Sequence, residues 1–203
     1  MISEHYIQRI SSGDEQAFNE LVQLWYKRIY NYAWKYFSKH SEFDAHTMAS
    51  EVCQKTFITV HKKLPQLQEI KKFKSWLYRI ATNYCNEEDR KKKRRKILSL
   101  QAFQQEEGGV KAVEWKATDR GPEADMQRKE AGKLVRMALK EINQDQRTVL
   151  IMKEYEGLTF REIAETLEIS ENTAKSRMYY GLKAMRKVLD KWNINEESVS
   201  YGN

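Results

Sequence analysis

Polar side chains between residues 171 and 180 combine hydrogen-bonding groups that could read the edges of base pairs. Arg and Lys can bind guanine or phosphate, Asn can bind adenine, and Ser and Thr reach either. Apolar residues recur through the same segment at helical spacing, so the polar side chains fall on the outward face of a helix. This face is predicted to contact duplex DNA. Its residues are Glu171, Asn172, Thr173, Lys175, Ser176, Arg177 and Tyr180.

A shorter amphipathic segment precedes this helix. Ile163, Ala164 and Leu167 give it a narrow apolar face. Ile169 places an apolar residue in the connecting turn, and the Ser170 hydroxyl can cap the second helix. Two helices joined by such a turn form a helix-turn-helix, whose second helix enters the major groove. A solvated helical hairpin in a bundle is the alternative, but it does not account for the turn and the polar face together.

A second basic feature lies at residues 90–96, where seven consecutive cations end another predicted helix. Like charges one turn apart destabilise a helix, so the run favours contact with an external polyanion such as a phosphate backbone. The alternative is the solvated end of an ordinary helix. The whole chain has 36 Lys and Arg against 29 Asp and Glu, a net charge of +7. The excess lies mainly in residues 1–96, and residues 97–130 are net acidic.

Aromatic and basic residues alternate just before this run. Aromatic faces can stack on unpaired bases while cations hold the strand. Trp76 and Tyr84 fit the apolar stripe of the helix and are assigned to the core. The better candidates for nucleotide contact are Tyr78, Arg79, Asn83 and the loop 65–72.

The fold class is predicted from the helical spacing of apolar residues. Only two prolines and eight glycines interrupt the chain, and no segment alternates like a strand over any length. We predict an all-α fold with two small helical domains joined by a flexible linker, the C-terminal one a helix-turn-helix. The expected boundaries are an N-terminal domain 1–96, a linker 97–125 with local helix near 97–103, a C-terminal domain 126–192 and a tail 193–203.

Other classes of protein find little support in the sequence. The four histidines are scattered, and there is no phosphate-binding glycine loop or metal-spaced cluster. We therefore expect no catalytic residue, cofactor, metal site or small-molecule substrate. Cys53 and Cys85 fall on apolar helix faces, which predicts buried free thiols. No signal peptide or membrane-spanning run is expected, and these features predict a cytoplasmic protein.

Four blocks, taken in order, resemble the extracytoplasmic-function (ECF) group of bacterial RNA polymerase sigma factors. The first runs from Asp14 to Tyr30, and the second is EVCQKTFITV at 51–60. The third is FKSWLYRIATN at 73–83, followed by Arg90. The fourth is YEGLTFREIA at 155–164, followed by TAKSR at 173–177. The resemblance covers roughly residues 10–96 and 126–190.

The resemblance implies roles that the spacing alone does not. The N-terminal domain would bind core RNA polymerase through Glu51, Gln54, Lys55 and Ile58. It would also read and melt the −10 element as single-stranded DNA, through Gln66, Lys71, Lys72, Tyr78, Arg79, Asn83, Arg90, Lys91 and Arg94. The helix 171–182 would read the −35 element in double-stranded DNA, and the linker would thread toward the polymerase active site. An anti-sigma factor is the further partner that the resemblance implies.

Several residues depart from the family pattern. Lys55 stands where an acid is common in the family, so the balance of charges at the polymerase contact would differ. Glu168 replaces the usual turn glycine, and Tyr180 and Leu182 replace frequent arginines. The alternative function is a stand-alone helix-turn-helix regulator that binds duplex DNA without polymerase. Such a regulator needs a sensing or dimerising N-terminal domain, and the basic, aromatic block at 73–96 argues against one.

Overall fold

The computed structural model describes residues 2–103 and 134–192, and every regular element within those ranges is helical. This confirms the predicted all-α class. The helices are α1 (Ile2–Ser11), α2 (Glu15–Tyr36), α3 (Glu42–Lys63), α4 (Phe73–Phe103), α5 (134–141), α6 (Gln144–Leu150), α7 (Phe160–Leu167) and α8 (Glu171–Lys191). Two 3-10 turns, Leu64–Gln66 and Ile70–Lys72, connect α3 to α4, and a π-helical turn, Ile151–Tyr155, extends α6.

The helix starts follow local capping chemistry. The Asp14 carboxylate accepts hydrogen bonds from the first free amides of α2, and the Ser41 hydroxyl does the same for α3. Pro65 lies in the 3-10 turn that follows α3, where it has no helical hydrogen bond to break. These short connections bring α2, α3 and α4 side by side, with the predicted loop 65–72 at one end.

Helix α1 lies before the first block noted in the sequence, which begins at Asp14, because residues 1–13 look polar and charged. It is held to α2 by Arg9, which hydrogen-bonds both Asp14 and Glu20. Helix α4 continues to Phe103, so the local helix predicted near 97–103 is a continuation of α4. The rest of the linker and the whole tail lie outside the described residues.

One large apolar cluster includes residues from both ends of the chain. Its N-terminal members come from α2, α3 and α4, among them Ile29, Val52 and Leu77. Its C-terminal members come from α6 to α8 and the segments between them, namely Val149, Ile151, Met152, Leu158, Ile163 and Ala174. The C-terminal helices therefore pack against α2 and α4 in this arrangement.

Both cysteines are buried and unpaired, as predicted. Burial raises the pKa of the Cys53 thiol to about 12, and it also raises the pKa of Cys85. Thiols in such surroundings are poor nucleophiles. Within the described parts of the chain, no helix is long and apolar enough to cross a membrane. The same residues include no group of three His, Cys, Asp or Glu side chains that could hold a metal ion.

Close packing between α6 and α8 depends on Gly181, which lies in the middle of α8. A Cβ atom at this position would lie 2.9 Å from Leu150 Cδ1 and 3.3 Å from Gln146 Cβ. We expect Gly181→Val to lower the free energy of unfolding by about 1–3 kcal/mol, because the added methyl groups overpack this contact. Urea unfolding followed by circular dichroism measures the change. Leu182→Val places the same β-branched residue at an exposed neighbour, and an equal loss there would contradict the packing account.

Candidate nucleic-acid interface

The helix-turn-helix is built from α7, a tight turn and α8. Thr159 and Glu162 form a reciprocal capping box at the start of α7. The Ser170 hydroxyl accepts a hydrogen bond of 3.0 Å from the Thr173 amide and so starts α8. Between the helices Glu168 adopts a left-handed conformation, with φ 56° and ψ 43°. The turn is thus made with a residue that must accept backbone strain in place of the usual glycine.

The predicted outward face of α8 is largely accessible. Lys175 forms an ion pair of 3.0 Å with Glu171, one turn away. Thr173 is half-buried, and its hydroxyl contacts that of Ser170. Because these are local contacts within the helix, they leave the face open to a groove of duplex DNA. The exposed members are Glu171, Asn172, Lys175, Ser176 and Tyr180.

Arg177 behaves differently from the rest of that face. Its guanidinium forms an ion pair of 2.6 Å with Asp145 on α6, and the side chain is 29% exposed. It lines a cavity that also contains Thr82 and Asn86 of α4. Arg177 is thus already engaged by a carboxylate of the chain, through one of its guanidinium nitrogens.

A cleft of about 500 Å³ lies where α3 and the 3-10 turns meet the start of α4. Among the predicted nucleotide-binding residues, Gln66, Lys72 and Arg79 line it. Lys71 is exposed beside a separate cavity near α1 and α2, and Asn83 is exposed further along α4. The cleft therefore collects cationic and amide side chains, the aromatic ring of Trp76, and the carboxylates of Glu69 and Glu165.

Tyr78 does not lie on the surface, contrary to the prediction that it is available to nucleotides. Its ring is fully buried and packs edge-on against Trp25 and Tyr32. Its hydroxyl donates a hydrogen bond of 2.5 Å to Glu156, which follows the π-helical turn. Since a buried phenol needs a polar partner, the C-terminal part of the chain makes this burial possible. Burial raises the pKa of Tyr78 well above its usual range.

The basic run 90–96 is partly neutralised within the chain. Lys91 pairs with Glu87 and Glu88 at 2.5 and 3.2 Å. Lys92 pairs with Asp44 of α3, and Lys93 pairs with Asp89. These three lysines have local partners that the run of like charges did not suggest. Arg90 and Arg94, the other predicted contacts in this run, are exposed.

The predicted polymerase-binding residues divide into two groups. Glu51, Gln54 and Ile58 are exposed along one face of α3. Lys55 is half-buried and forms an ion pair with Glu88 of α4. Burial acts to raise the pKa of Glu88, but hydrogen bonds from Lys55 and Lys91 outweigh it and hold the pKa below its usual value. The departure at Lys55 thus has a structural reason, because a lysine here compensates a nearly buried carboxylate.

Glu156 is a site residue that sequence reasoning missed. It is buried, accepts the Tyr78 hydrogen bond, and lies near Lys35. Burial is the main cause that raises the pKa of Glu156, although Tyr78 and nearby cations act against it. A single glutamate after an amphipathic helix carries no sequence signal that distinguishes it from a solvated one.

The raised pKa of Glu156 predicts a pH-dependent stability. Its contribution is fully present below the ordinary carboxyl pKa and is lost as pH rises through the raised value, because a buried charge must then form. Glu156→Gln keeps an oxygen for Tyr78 and cannot ionise. We expect the free energy of unfolding of the variant to exceed that of the wild type increasingly as pH rises toward neutrality. Urea unfolding of both chains at several pH values tests this, and parallel pH profiles would contradict it.

Comparison with known protein families matches both halves of this structure. The sequence model of Sigma-70 region 2 matches residues 12–95, which span α2 to the basic run. The model of Sigma-70, region 4, matches residues 133–185, which contain the helix-turn-helix. Both matches lie in the order that the sequence resemblance predicted.

Individual relatives are similar in sequence to this chain over most of its length. The ECF RNA polymerase sigma factor SigW of Bacillus subtilis is 28% identical over 189 residues, covering 93% of this chain and 97% of SigW. The RNA polymerase sigma-H factor of Pseudomonas aeruginosa is 27% identical over 191 residues, covering 92% and 93%. The ECF RNA polymerase sigma-E factor of Haemophilus influenzae is 26% identical over 177 residues, covering 85% and 87%.

Two solved structures share the fold. CnrH in complex with the cytosolic domain of CnrY superposes with a TM-score of 0.63 at 19% identity, over 94% of this chain and 99% of that one. The sigma factor RpoE of Bartonella quintana, in complex with the anti-sigma factor NepR, gives 0.60 at 20% identity, over 85% and 96%. At these identities the comparison speaks for the fold alone.

A helix-turn-helix on an all-α scaffold, joined to a region 2 match, defines a DNA-binding transcription initiation factor. The chain belongs to the sigma-70 family of RNA polymerase sigma factors, in its ECF group. It binds core RNA polymerase and directs initiation at specific promoters. A stand-alone regulator is not favoured, because region 2 occupies the part of the chain where a sensing or dimerising domain would lie.

Proposed function

We propose that residues 1–96 bind core polymerase and open the −10 element, while residues 126–192 read the −35 element. The observation that carries this division is the coincidence of each matched region with a suitable surface. Region 2 contains the cleft at the start of α4, and region 4 contains the polar face of α8. Duplex DNA suits α8, because a helix with exposed donors and acceptors fits the major groove.

The polymerase contact is proposed for the exposed face of α3. Glu51, Gln54 and Ile58 present a carboxylate, an amide and an apolar side chain within about two helical turns. Lys55 is proposed to act indirectly, because its ion pair with Glu88 holds α3 against α4. A partner surface that is cationic next to an apolar patch would complement this face.

The −10 contact is proposed for the cleft and the adjacent surface of α4. Gln66, Lys72 and Arg79 line the cleft, and Lys71 and Asn83 are exposed near it. Arg90, Lys91 and Arg94 would hold phosphates beyond them. Tyr78 joins this surface only if Glu156 withdraws from its hydroxyl.

We further propose that an anti-sigma factor regulates this chain. The solved RpoE structure contains one, the anti-sigma factor NepR, and the fold is shared. We also propose that the chain acts in the cytoplasm beside polymerase and DNA, and that it has no catalytic activity of its own.

Footprinting of the reconstituted holoenzyme tests the division of roles. Permanganate marks unpaired thymines, and hydroxyl radicals map duplex protection on the same promoter fragment. We expect Asn172→Ala with Lys175→Ala to remove upstream protection while thymines at the −10 element still open at high holoenzyme concentration. Upstream protection that survives this change would remove α8 from the −35 contact.

A further inference from the structure

Hydrogen-bond and ion-pair acceptors from residues 156–168 cover one face of α4. Lys74, Ser75, Tyr78 and Arg79 lie on successive turns of that helix, and each binds a group from residues 156–168. Lys74 Nζ donates to the Gly157 carbonyl at 3.0 Å and lies 4.0 Å from the Glu162 carboxylate. The other three donors face the carboxylates of Glu156, Glu165 and Glu168.

The contacts are densest at the cleft. Ser75 Oγ donates to the Lys72 carbonyl at 3.0 Å and lies 3.4 Å from the Glu165 carboxylate, and Arg79 donates to the Glu165 carbonyl. The second Arg79 nitrogen lies 3.3 Å from the Glu168 carboxylate. Thr166 Oγ1 lies 2.7 Å from the Glu162 carbonyl of its own helix and 3.2 Å from the Ser75 carbonyl, so α7 packs directly against the start of α4.

The walls of this cleft suit an anionic strand. Lys63 and Lys72 supply cations, Gln66 supplies an amide, and Trp76 supplies an aromatic face. Lys72 forms an exposed ion pair of 2.8 Å with Glu69, which also lines the cleft. Unpaired nucleotides are held by this combination of phosphate-binding cations and stacking surfaces. Glu165 also lines the cleft, so a carboxylate of the chain itself lies where such a strand would bring its negative charge.

We propose that Glu165 and Glu168 act as an internal anionic ligand of this cleft and compete with single-stranded DNA for Ser75 and Arg79. The chain alone then binds unpaired DNA weakly, and binding displaces α7 from α4. The proposal rests on the −10 role given to α4 above, but it concerns what occupies the cleft before DNA does.

The ion pair between Glu168 and Arg79 is weak enough for a DNA strand to displace it. The side chains of Glu168 and Arg79 are 73% and 40% exposed, and exposed ion pairs contribute little each. The apolar cluster shared by both ends of the chain holds α7 near α4, so the carboxylates stay at high local concentration. A strand that carries several phosphates can outcompete two carboxylates, and the apolar contacts of α7 set the remaining cost of its displacement.

The test is the affinity of the full chain for a fluorescein-labelled oligothymidine strand, measured by fluorescence anisotropy at low salt. We expect the double variant Glu165→Gln, Glu168→Gln to bind roughly three- to tenfold more tightly than wild type, because it neutralises the carboxylate that pairs with Arg79 and the carboxylate that lines the cleft. Added salt should narrow the difference, because it screens the carboxylates.

A matched control separates competition from net charge. Glu141→Gln with Glu154→Gln makes the same charge change at exposed positions of α5 and the π-helical turn. This control should bind the strand nearly as the wild type does. Equal gains in both double variants, or no gain in the first, would overturn the proposal.

A crosslink gives a second measurement that does not depend on charge. Ser75→Cys with Thr166→Cys introduces thiols at neighbouring positions of α4 and α7, where Thr166 Oγ1 lies 3.2 Å from the Ser75 carbonyl, while the native cysteines are buried. We expect the oxidised, crosslinked chain to lose oligothymidine binding and to recover it on reduction. Unchanged binding by the crosslinked chain would contradict the occupied cleft.

Failure of this proposal is distinguishable from failure of the proposed function. If wild type with core polymerase opens promoters but the first double variant binds the strand no better, only the competition is wrong. If the double variant gains affinity but no promoter opens with polymerase, the −10 role is wrong, and the cleft is an anion site with another use.

Discussion

Arg177→Ala is expected to lower promoter-specific transcription about tenfold or more at promoters that depend on the −35 element. Loss of a base or phosphate contact by arginine costs about 1–3 kcal/mol. Core polymerase binding should not change, because Arg177 lies on α8, far in sequence from the α3 face. Run-off transcription and a polymerase pull-down, done on the same preparations, measure the two effects.

The ion pair between Arg177 and Asp145 supplies the control for this prediction. Asp145→Asn removes the partner but keeps the arginine, so transcription should be retained or increased. If both variants lose transcription equally, the ion pair matters for the fold of the C-terminal helices and Arg177 is not a DNA contact. Reduced polymerase binding by Arg177→Ala would show instead that α8 has been assigned to the wrong partner.

Glu51→Lys is expected to weaken core polymerase binding about tenfold or more. The side chain is exposed on α3, so the change should not disturb the packing of the N-terminal helices. A reversed charge at a complementary interface places like charges together and costs several kcal/mol at most. Titration of labelled chain with core polymerase gives the affinity, and circular dichroism checks the fold.

Glu141→Lys is the matched control for Glu51→Lys. It makes the same charge reversal at an exposed position of α5, outside the proposed polymerase face. We expect its polymerase affinity to stay within about twofold of wild type, as for a charge beyond the interface. An affinity for Glu51→Lys that matches this control would remove Glu51 from the polymerase contact.

The helix-turn-helix could be predicted from sequence because its signals are local. Ser170 caps α8 within one turn, and the apolar residues of α7 repeat at helical spacing. Even the unusual turn was visible, because Glu168 stands at the position that favours glycine. The exposed face of α3 could be predicted for the same reason, because helical periodicity places the residues outside the apolar stripe on the surface.

Contacts between distant parts of the chain could not be predicted. Tyr78 looks like an exposed tyrosine in a basic block, and only its contact with Glu156 explains its burial. Lys55 looks like a surface substitution until Glu88 is placed beside it. Periodicity records which face of a helix is apolar, but it does not say which polar groups another helix will bring to the opposite face.

The packing of the C-terminal helices on α4 is the largest of these differences. Two domains and a linker were expected from the charge distribution and the helix breaks, and the proposed boundaries remain predictions. The sequence offers no sign that α7 covers the start of α4, because Glu165 and Glu168 are ordinary in an amphipathic helix and its turn. Contacts of this kind depend on the arrangement of the whole chain.

Transcription in vitro tests the central claim most directly. The purified chain is mixed with core RNA polymerase from its own source and fragmented genomic DNA, and the starts of the transcripts are mapped. The account predicts a small set of discrete starts, each preceded by two shared motifs at fixed offsets. Starts no more numerous than with core polymerase alone, from a chain that is folded, would contradict it.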